Sequence, residues 1–539
     1  MNNTLWYKDA IFYELSVRSF SDSNGDGIGD LAGVSARLDY LQELGVTVLW
    51  FLPLNPSPMR DDGYDVSEYC NIDPMYGTLE DFRTLVAGAH QRNLKIMVEL
   101  IPNHTSDQHP WFQASRDPNH PEHAKYRDYY VWNESYDLYK EARIIFIDSE
   151  KSNWTYDPVR KAYFWHRFFH HQPDLNYDNP EVQQAMLRVV QFWIDQGADG
   201  IRVDAPPYLF EREGTNCENL PETHLFLKRL RSFVDAYAPG TLLLSEANQW
   251  PENVRPYFGD GNEMHMNFHF PLMPRLFMAL RKHDRSVLEW ILDKTPEIPE
   301  TCQWGIFLRC HDELTLEMVT PDERQWMWEQ YAPEPRMRLN LGIRRRLASL
   351  LENDQRQIEL AYSLLLTLPG SPVLYYGDEI GMGDNIWLSD RDGVRTPMQW
   401  TSGENAGYSS AQAGKLYTPL VEDEVFGPLR VNVEAQQADP GSLFHVIQRM
   451  IAIRKQHLAF GRGDFKWVDL GSAAMAAYTR HFQGESWLIV NNLSDLAQTT
   501  AIPETFAALY TEAFSGKPLK LEDPLILQPY QALWFVKKD

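Results

Sequence analysis

The chain has 539 residues, too many for one ordinary domain and enough for a barrel of roughly 250 residues with accessory pieces. With 43% hydrophobic and 23% charged residues it has the balance of a soluble globular protein, and no low-complexity tract points to disorder. A net charge of −25 repels phosphate backbones and anionic lipid, which argues against nucleic acid and acidic membrane surfaces as partners and favours a neutral ligand.

Short apolar runs alternate with amphipathic stretches of helical length, the pattern of repeated βα units around a parallel sheet. Residues 11–15 form the first predicted strand. A helix over 31–44, a strand over 46–52, a helix over 78–92 and a third strand over 95–101 follow. The stretch 104–177 is rich in His, Trp, Tyr, Asp and Pro; a structureless loop of that length is out of place in a compact domain, so a small inserted domain is predicted. Asn179 and Pro180, a cap residue and a first-turn proline, open a helix over 180–196 that leads into strand four.

Strand five covers 242–245, strand six is weakly defined near 264–270, and strands seven and eight cover 305–308 and 373–376. Eight parallel strands close a barrel. Between the last two, 314–353 is long, charged and partly helical, and loops that follow strands emerge over the barrel mouth, so a lid is expected there. For at least two of Arg344, Arg345 and Arg346 a solvated helix face is an equal reading. After a helix over 443–455, alternating runs at 474–479 and 486–491 mark antiparallel strands. The predicted fold is a (β/α)8 TIM barrel in two parts, 1–104 and 179–458, with an inserted domain at 105–178 and a C-terminal antiparallel β-sandwich domain at 459–539.

Cys70, Cys217, Cys302 and Cys310 lack CxxC spacing, which argues against zinc and against a disulfide scaffold and suits a reducing compartment. The first residues lack the basic and apolar regions of a signal peptide, and the longest apolar stretch, 358–376, is interrupted by Glu359, Pro369, Gly370 and Pro372. A cytoplasmic protein is expected.

Three acids close predicted strands: Asp204 after Gly-Ile-Arg-Val, Glu246 after Leu-Leu-Leu-Ser, and Asp312 after Phe-Leu-Arg-Cys-His. Carboxylates at the C-terminal ends of parallel strands converge on the barrel mouth. Cleavage of a glycosidic bond uses such a set, one carboxylate ionised beside the anomeric carbon and one carboxyl protonated beside the leaving oxygen. Arg202 shares a strand face with Asp204 and is expected to hold it ionised and lower its pKa. Glu246, in an apolar setting that raises a carboxyl's pKa, is the expected acid/base. Singly, each acid reads as well as a helix cap or an ion-pair partner. Asn103-His104 and His311-Asp312 add polar groups at strand ends, and 13% aromatic residues supply faces for sugar rings. Asp22, Asn24, Asp26, Ile28 and Asp30 alternate with glycines in a pattern suited to Ca²⁺, a self-capped Asx turn being the other reading.

Asn103-His104, Gly-Ile-Arg-Val-Asp204, Glu246 and His311-Asp312, in this order, resemble the barrel motifs of the α-amylase family of glycoside hydrolases. Gln172-Pro-Asp-Leu-Asn176 is similar to the motif of the branch containing oligo-1,6-glucosidases and trehalose synthases. Nearly the whole chain resembles the trehalose synthases most, through 208–224, 269–274, 338–346 and 376–385, while Arg395-Thr-Pro-Met-Gln-Trp400 is shared with the glucosidases. The resemblance implies Asp204 as nucleophile, Glu246 as acid/base and Asp312 as transition-state stabiliser. Tyr64, Asp65, His104, Arg202, His311 and Arg395 would bind the glucosyl unit. A second Ca²⁺ would be held by Asn103, Asp174, Tyr208, Leu209 and Glu211, making one or two structural ions and no organic cofactor. Cys310, where Asn is common, and Glu99, where Asp is frequent, depart from the family pattern.

The expected reaction is isomerisation of maltose to α,α-trehalose by a retaining double displacement, with Asp204 and Glu246 within about 5.5 Å of each other and minor hydrolysis to glucose. The alternatives are an α-glucosidase or oligo-1,6-glucosidase type hydrolase and a non-catalytic carbohydrate-binding barrel. The resemblance leaves open a homo-oligomer and a separate maltose kinase, for the chain has no kinase phosphate loop.

Overall fold

Eight short strands whose side chains are almost all buried make the centre of the molecule: β1 (Phe12–Leu15), β2 (Val48–Phe51), β3 (Lys95–Leu100), β4 (Gly200–Val203), β5 (Leu242–Ser245), β6 (Met266–Phe268), β7 (Gln303–Phe307) and β8 (Ser371–Tyr375). Residues 5–412, 414–503, 506, 509–521 and 524–538 are described by the computed structural model. Strands buried on both faces need side chains that fill a barrel, which is why they read as apolar runs without alternation. Neighbours pair parallel, and Phe12 of β1 pairs with Val48 of β2 on one side and Val373 of β8 on the other, which closes the ring.

The helices stand where the periodicity places them, and their caps explain their ends. Leu79–Gln91 starts at a capping box between Thr78 and Asp81, and Pro180–Asp195 starts at the Asn179 side chain. The single helix expected over 31–44 is two, Leu31–Ala36 and Leu38–Leu44, broken at Arg37. The Arg37 guanidinium lies 4.1 Å from the Trp400 ring, so a tertiary contact sits at the break.

Between β3 and β4 the chain builds an antiparallel three-stranded sheet, Trp132–Asn133, Ala162–Trp165 and Trp154–Asp157, with a small cluster of Ala142, Trp154 and Trp165 that Cys217, from the segment after β4, completes. Bridges from His104 to Asp174 and from Tyr130 to Leu175 tie it to the barrel rim. Between β7 and β8 lie helix Pro321–Tyr331, which packs on Leu272–Lys282 through Arg275 to Glu323 and the Tyr331 hydroxyl to the Phe277 carbonyl, and the hairpin Arg338–Leu339/Gly342–Ile343, bridged to Leu314. The arginine run that follows is no solvated helix face. Arg344 donates to the carbonyls of Leu388 and Asp390, Arg345 to Asp384, and wholly buried Arg346 to the Tyr376 and Val394 carbonyls and Asp378. All three pin the lid to the segment after β8.

The C-terminal part is a six-stranded antiparallel sheet, in spatial order Asp464–Val468, Met475–Phe482, Glu485–Asn492, Ala532–Lys538, Leu509–Glu512 and Pro518–Lys520, with a separate ladder of Gln498–Thr500 and Leu525–Leu527. The four cysteines are free thiols. Among the described residues no helix is long and apolar enough to cross a membrane.

Candidate active site

Asp204 and Glu246 each follow the last residue of a barrel strand, and each continues the ladder by one amide: Asp204 N donates to the Leu100 carbonyl at 2.9 Å and Glu246 N to the Val203 carbonyl at 3.1 Å. Their side chains therefore point into the mouth from a rigid support. Asp312 enters from the loop after β7. All three line one cavity with Asp61, Tyr64, His104, Phe168, Tyr208, Phe270 and Arg391. Ala205, next to Asp204, sits in the left-handed region at φ 46°, a strained conformation at the cavity wall.

Arg202, buried below, ties the acids together. Its Nη1 donates to Asp204 and to Glu99, each at 2.7 Å, and its Nη2 donates to Glu246. The Asp204 and Glu246 carboxyls thus meet on the two nitrogens of one guanidinium. One guanidinium cannot neutralise three buried acids. Burial pushes Asp204 up to about 6 although Arg202 opposes it, and pushes Glu246 up to about 7 with help from the Asp204 charge. The expectation that Arg202 would bring Asp204 below its ordinary value is thus corrected, because desolvation outweighs the ion pair. Asp312 goes the other way. Burial would raise it, but His311, Arg391, Arg395 and Arg202 together outweigh burial and hold it well below the usual carboxylate range. The three acids are thereby differentiated: Asp312 always ionised, Glu246 the one that keeps a proton longest.

Tyr64 donates to or accepts from His311 Nε2 at 2.8 Å and stacks on its ring. His104 lines the wall and is held neutral by burial, at about 3. Arg395 lies behind the wall, where it donates to the His311 carbonyl, to Asp312 at 3.0 Å and to Asp62. Asp65 is not brought to the cavity. Its carboxylate faces its own loop, accepting from Ser57 Oγ and from the Asp61 and Arg60 amides. Asp61 takes the wall position instead, paired with Arg391 at 2.7 Å, and Arg391 also donates to Asp312 at 2.8 Å. Sequence reasoning missed Asp61 and Arg391. The sequence offered only the turn-forming Asp62-Gly63 after Asp61, whose positive φ at both residues goes with Asp61 at the cavity and Asp65 on its own loop; Arg391 had no signal.

The mouth is covered by contacts between the insert and the lid. Arg143 of the insert donates to Glu317 of the lid at 3.0 Å, to Glu218 at 2.9 Å and to the Tyr208 hydroxyl. The Asn340 amide at the hairpin tip donates to Asp148 at 2.8 Å. Ile145, Phe146, Glu313, Thr315 and Glu317 complete the wall on that side.

The two candidate cation sets differ in what they show. In the loop 22–30, Asp22 accepts from the amides of Asn24, Gly25 and Gly27, Asn24 from that of Asp26, and Asp26 from that of Ile28. Asp30 caps helix Leu31–Ala36. Asp22 accepts two bonds on each oxygen, the fourth from Ser409, and Asp30 does the same with Ser23 and Gly33, so Asn24 and Asp26 are the side chains that keep lone pairs for a hard cation. In the second set Asn103 Oδ1, Asp174 Oδ2 and Glu211 Oε1 are buried oxygens without a hydrogen-bond partner, and burial holds Asp174 and Glu211 well above the usual range, Glu211 further raised by Asp174. Buried, unpaired oxygens of this kind fit a divalent ion, which would satisfy them. Tyr208 and Leu209 lie between these ligands in sequence, the Tyr208 side chain turned to the cavity. Among the described residues no three His, Cys, Asp or Glu side chains converge as a metal cluster.

The Alpha-amylase model, alpha amylase catalytic domain, matches residues 15–332 and 343–463. The chain belongs to the α-amylase family. Within this family it is 57% identical to "Trehalose synthase/amylase TreS" of Mycolicibacterium smegmatis over 92% of this chain and 85% of that one. It is 57% identical to "Trehalose synthase" of Pimelobacter over 92% and 88%. It is 32% identical to "Probable alpha-glucosidase" of Rhizobium meliloti over 92% and 91%. Among solved structures it is similar to the trehalulose synthase MutB of Pseudomonas mesoacidophila, with 27% identity, a TM-score of 0.78 and 99% of both chains covered. The isomaltulose synthase PalI of Klebsiella gives 26% identity, a TM-score of 0.80 and 99% coverage of both chains.

Proposed function

We propose that this α-amylase family member is an intramolecular glucosyl transferase that isomerises maltose to α,α-trehalose with minor hydrolysis. The observation that carries the reading is the placement of Asp204 and Glu246 on one guanidinium at the floor of a cavity that insert and lid cover together. Carboxyls held on one guanidinium lie close together, as the shorter carboxyl separation of a retaining enzyme requires, which supports a retaining double displacement.

Asp204 attacks C1 of the non-reducing glucose while Glu246 gives its proton to the leaving oxygen. Asp312, ionised throughout, faces the positive charge that develops on the ring. The freed glucose stays under the Arg143 to Glu317 contact, turns, and offers its anomeric hydroxyl to the glucosyl-enzyme; Glu246, now a base, takes that proton. Isomerisation wins over hydrolysis when closure keeps water from the intermediate. The trehalose synthases at 57% identity, against 32% for the glucosidase, favour transfer over hydrolysis as the main outcome. Incubation with maltose is expected to give trehalose as the main product, read by chromatography of the sugars; glucose as the sole product would defeat the reading.

We also assign a structural Ca²⁺ to Asn103, Asp174, Glu211 and the backbone near Tyr208 and Leu209, and a further one to the loop 22–30. A chelator is expected to lower the melting temperature by roughly 2–3 °C for each ion present at about a hundred times its Kd. Asp174→Asn should remove the share of that response due to its own ion, and an unchanged response in the variant would place that ion elsewhere.

A further inference from the structure

One buried acid is used by nothing described so far. Glu14, on β1, has no exposed surface. Its Oε1 accepts from His311 Nδ1 and, at 3.2 Å, from the His311 amide, while Oε2 has no hydrogen-bond partner. Among the described residues its one ion pair is with His311. The imidazole is fixed on every side: Tyr64 stacks on it at 5.4 Å, Trp50 of β2 meets it edge-on at 6.0 Å, and Arg395 holds its carbonyl. Its other nitrogen, Nε2, faces the cavity wall, 2.8 Å from the Tyr64 hydroxyl and 3.3 Å from Asp312 Oδ2.

From this geometry we propose that Glu14 is a positioning residue for the reaction: its carboxylate keeps His311 doubly protonated, so that Nε2–H is a standing donor at the wall where the glucosyl unit binds. The inference rests on the reading above that the cavity holds a glucosyl unit. The chemistry is a count of protons. A neutral imidazole carries one, and here Nδ1 needs it to meet Glu14, which would leave Nε2 only an acceptor for the Tyr64 hydroxyl, with the Asp312 carboxylate 3.3 Å away. A second proton makes Nε2 a donor, Tyr64 then accepting, and sets one imidazolium between the carboxylates of Glu14 and Asp312. The charged groups facing the ring are Glu14 from β1 and Asp312 beside it, with Glu99 of β3 and Glu246 after β5 farther off, against Arg395. Burial would lower His311, but Asp312 and Glu14 outweigh it and hold it above its ordinary value.

The test is the pH profile of kcat/KM for p-nitrophenyl α-D-glucoside, whose leaving group needs no proton from Glu246, measured between pH 7 and 9. The unaltered protein is expected to stay flat. Glu14→Gln keeps the acceptor for Nδ1 and loses the charge, so its kcat/KM should fall at least tenfold across that range, whereas Glu14→Asp, which keeps the charge, should stay flat at a lower level. A loss of the same factor at every pH in Glu14→Gln, or the same falling limb in Glu14→Asp, would overturn the proposal. Should Glu14→Gln fail to fold, nitrogen-15 shifts of His311 in the unaltered protein at pH 8 decide: two protonated nitrogens support the inference and one bare nitrogen overturns it. Trehalose formation is scored separately. Its absence defeats the isomerase reading, while the aryl glucoside still reports on Glu14.

Discussion

Asp204→Asn lowers kcat/KM for maltose by about 10⁴-fold or more, the cost of removing a nucleophile whose neighbours act with it as a unit. Asparagine fills the same space and still accepts from Arg202, so packing is kept and the loss is one of bond-forming ability. Two further effects have definite signs. The Asp204 charge raises Glu246, so in the variant Glu246 titrates at a lower pH. Stability moves as well. Burial raises Asp204 to about 6, so its protonated form is favoured in the folded state; stability is full below the ordinary carboxylate pKa and is lost as pH rises through about 6. Asparagine carries no such charge at any pH. The melting temperature of the variant should therefore gain on that of the unaltered protein between pH 4 and pH 8, read by calorimetry. Turnover within tenfold of the original would remove Asp204 from the nucleophile's role.

Glu246→Gln is expected to cost on the order of 10²–10⁴-fold for maltose, the range of a lost general acid. The loss depends on the leaving group. A nitrophenolate departs without a proton, so glucosyl transfer to Asp204 from the aryl glucoside should be close to normal in a single-turnover burst, while the slow second step lets the glucosyl-enzyme accumulate. The unaltered protein loses kcat/KM for maltose tenfold per pH unit above about 7, where burial places Glu246, and the glutamine variant lacks that limb. Equal losses on maltose and on the aryl glucoside would assign Glu246 to structure instead.

The parts of this site that were legible in the sequence are those fixed by strand ends. Asp204, Glu246 and His311-Asp312 follow short apolar runs, and a parallel barrel leaves such residues one place to point. The helix cap at Asn179 was legible for a similar reason, as its chemistry is local, whereas Thr78, read inside its helix, is the cap. What failed was loop geometry. Asp61 and Asp65 lie in one turn, and which of the two faces the cavity depends on positive φ at Asp62 and Gly63, a preference that spacing alone does not express. Arg391 and Arg143 act through partners 79 and 174 residues away, and long-range pairing leaves no local pattern. At 344–346 the sequence left a solvated helix face as an equal reading, because the carbonyls and acids of a distant segment that bind the half-buried Arg344 and Arg345 and the buried Arg346 leave no local mark. The balance at Asp204 could not be read either, because burial against one guanidinium is a matter of magnitude.

The central claim is that the glucose freed from maltose never leaves before it is rejoined. A mixture of unlabelled and uniformly carbon-13 maltose, converted by the protein and read by mass spectrometry of the trehalose formed, tests it directly. Transfer within one closed cavity yields trehalose that is either fully labelled or unlabelled. Trehalose that is mostly half-labelled would mean that the two sugars part and recombine through solvent, and would contradict the account.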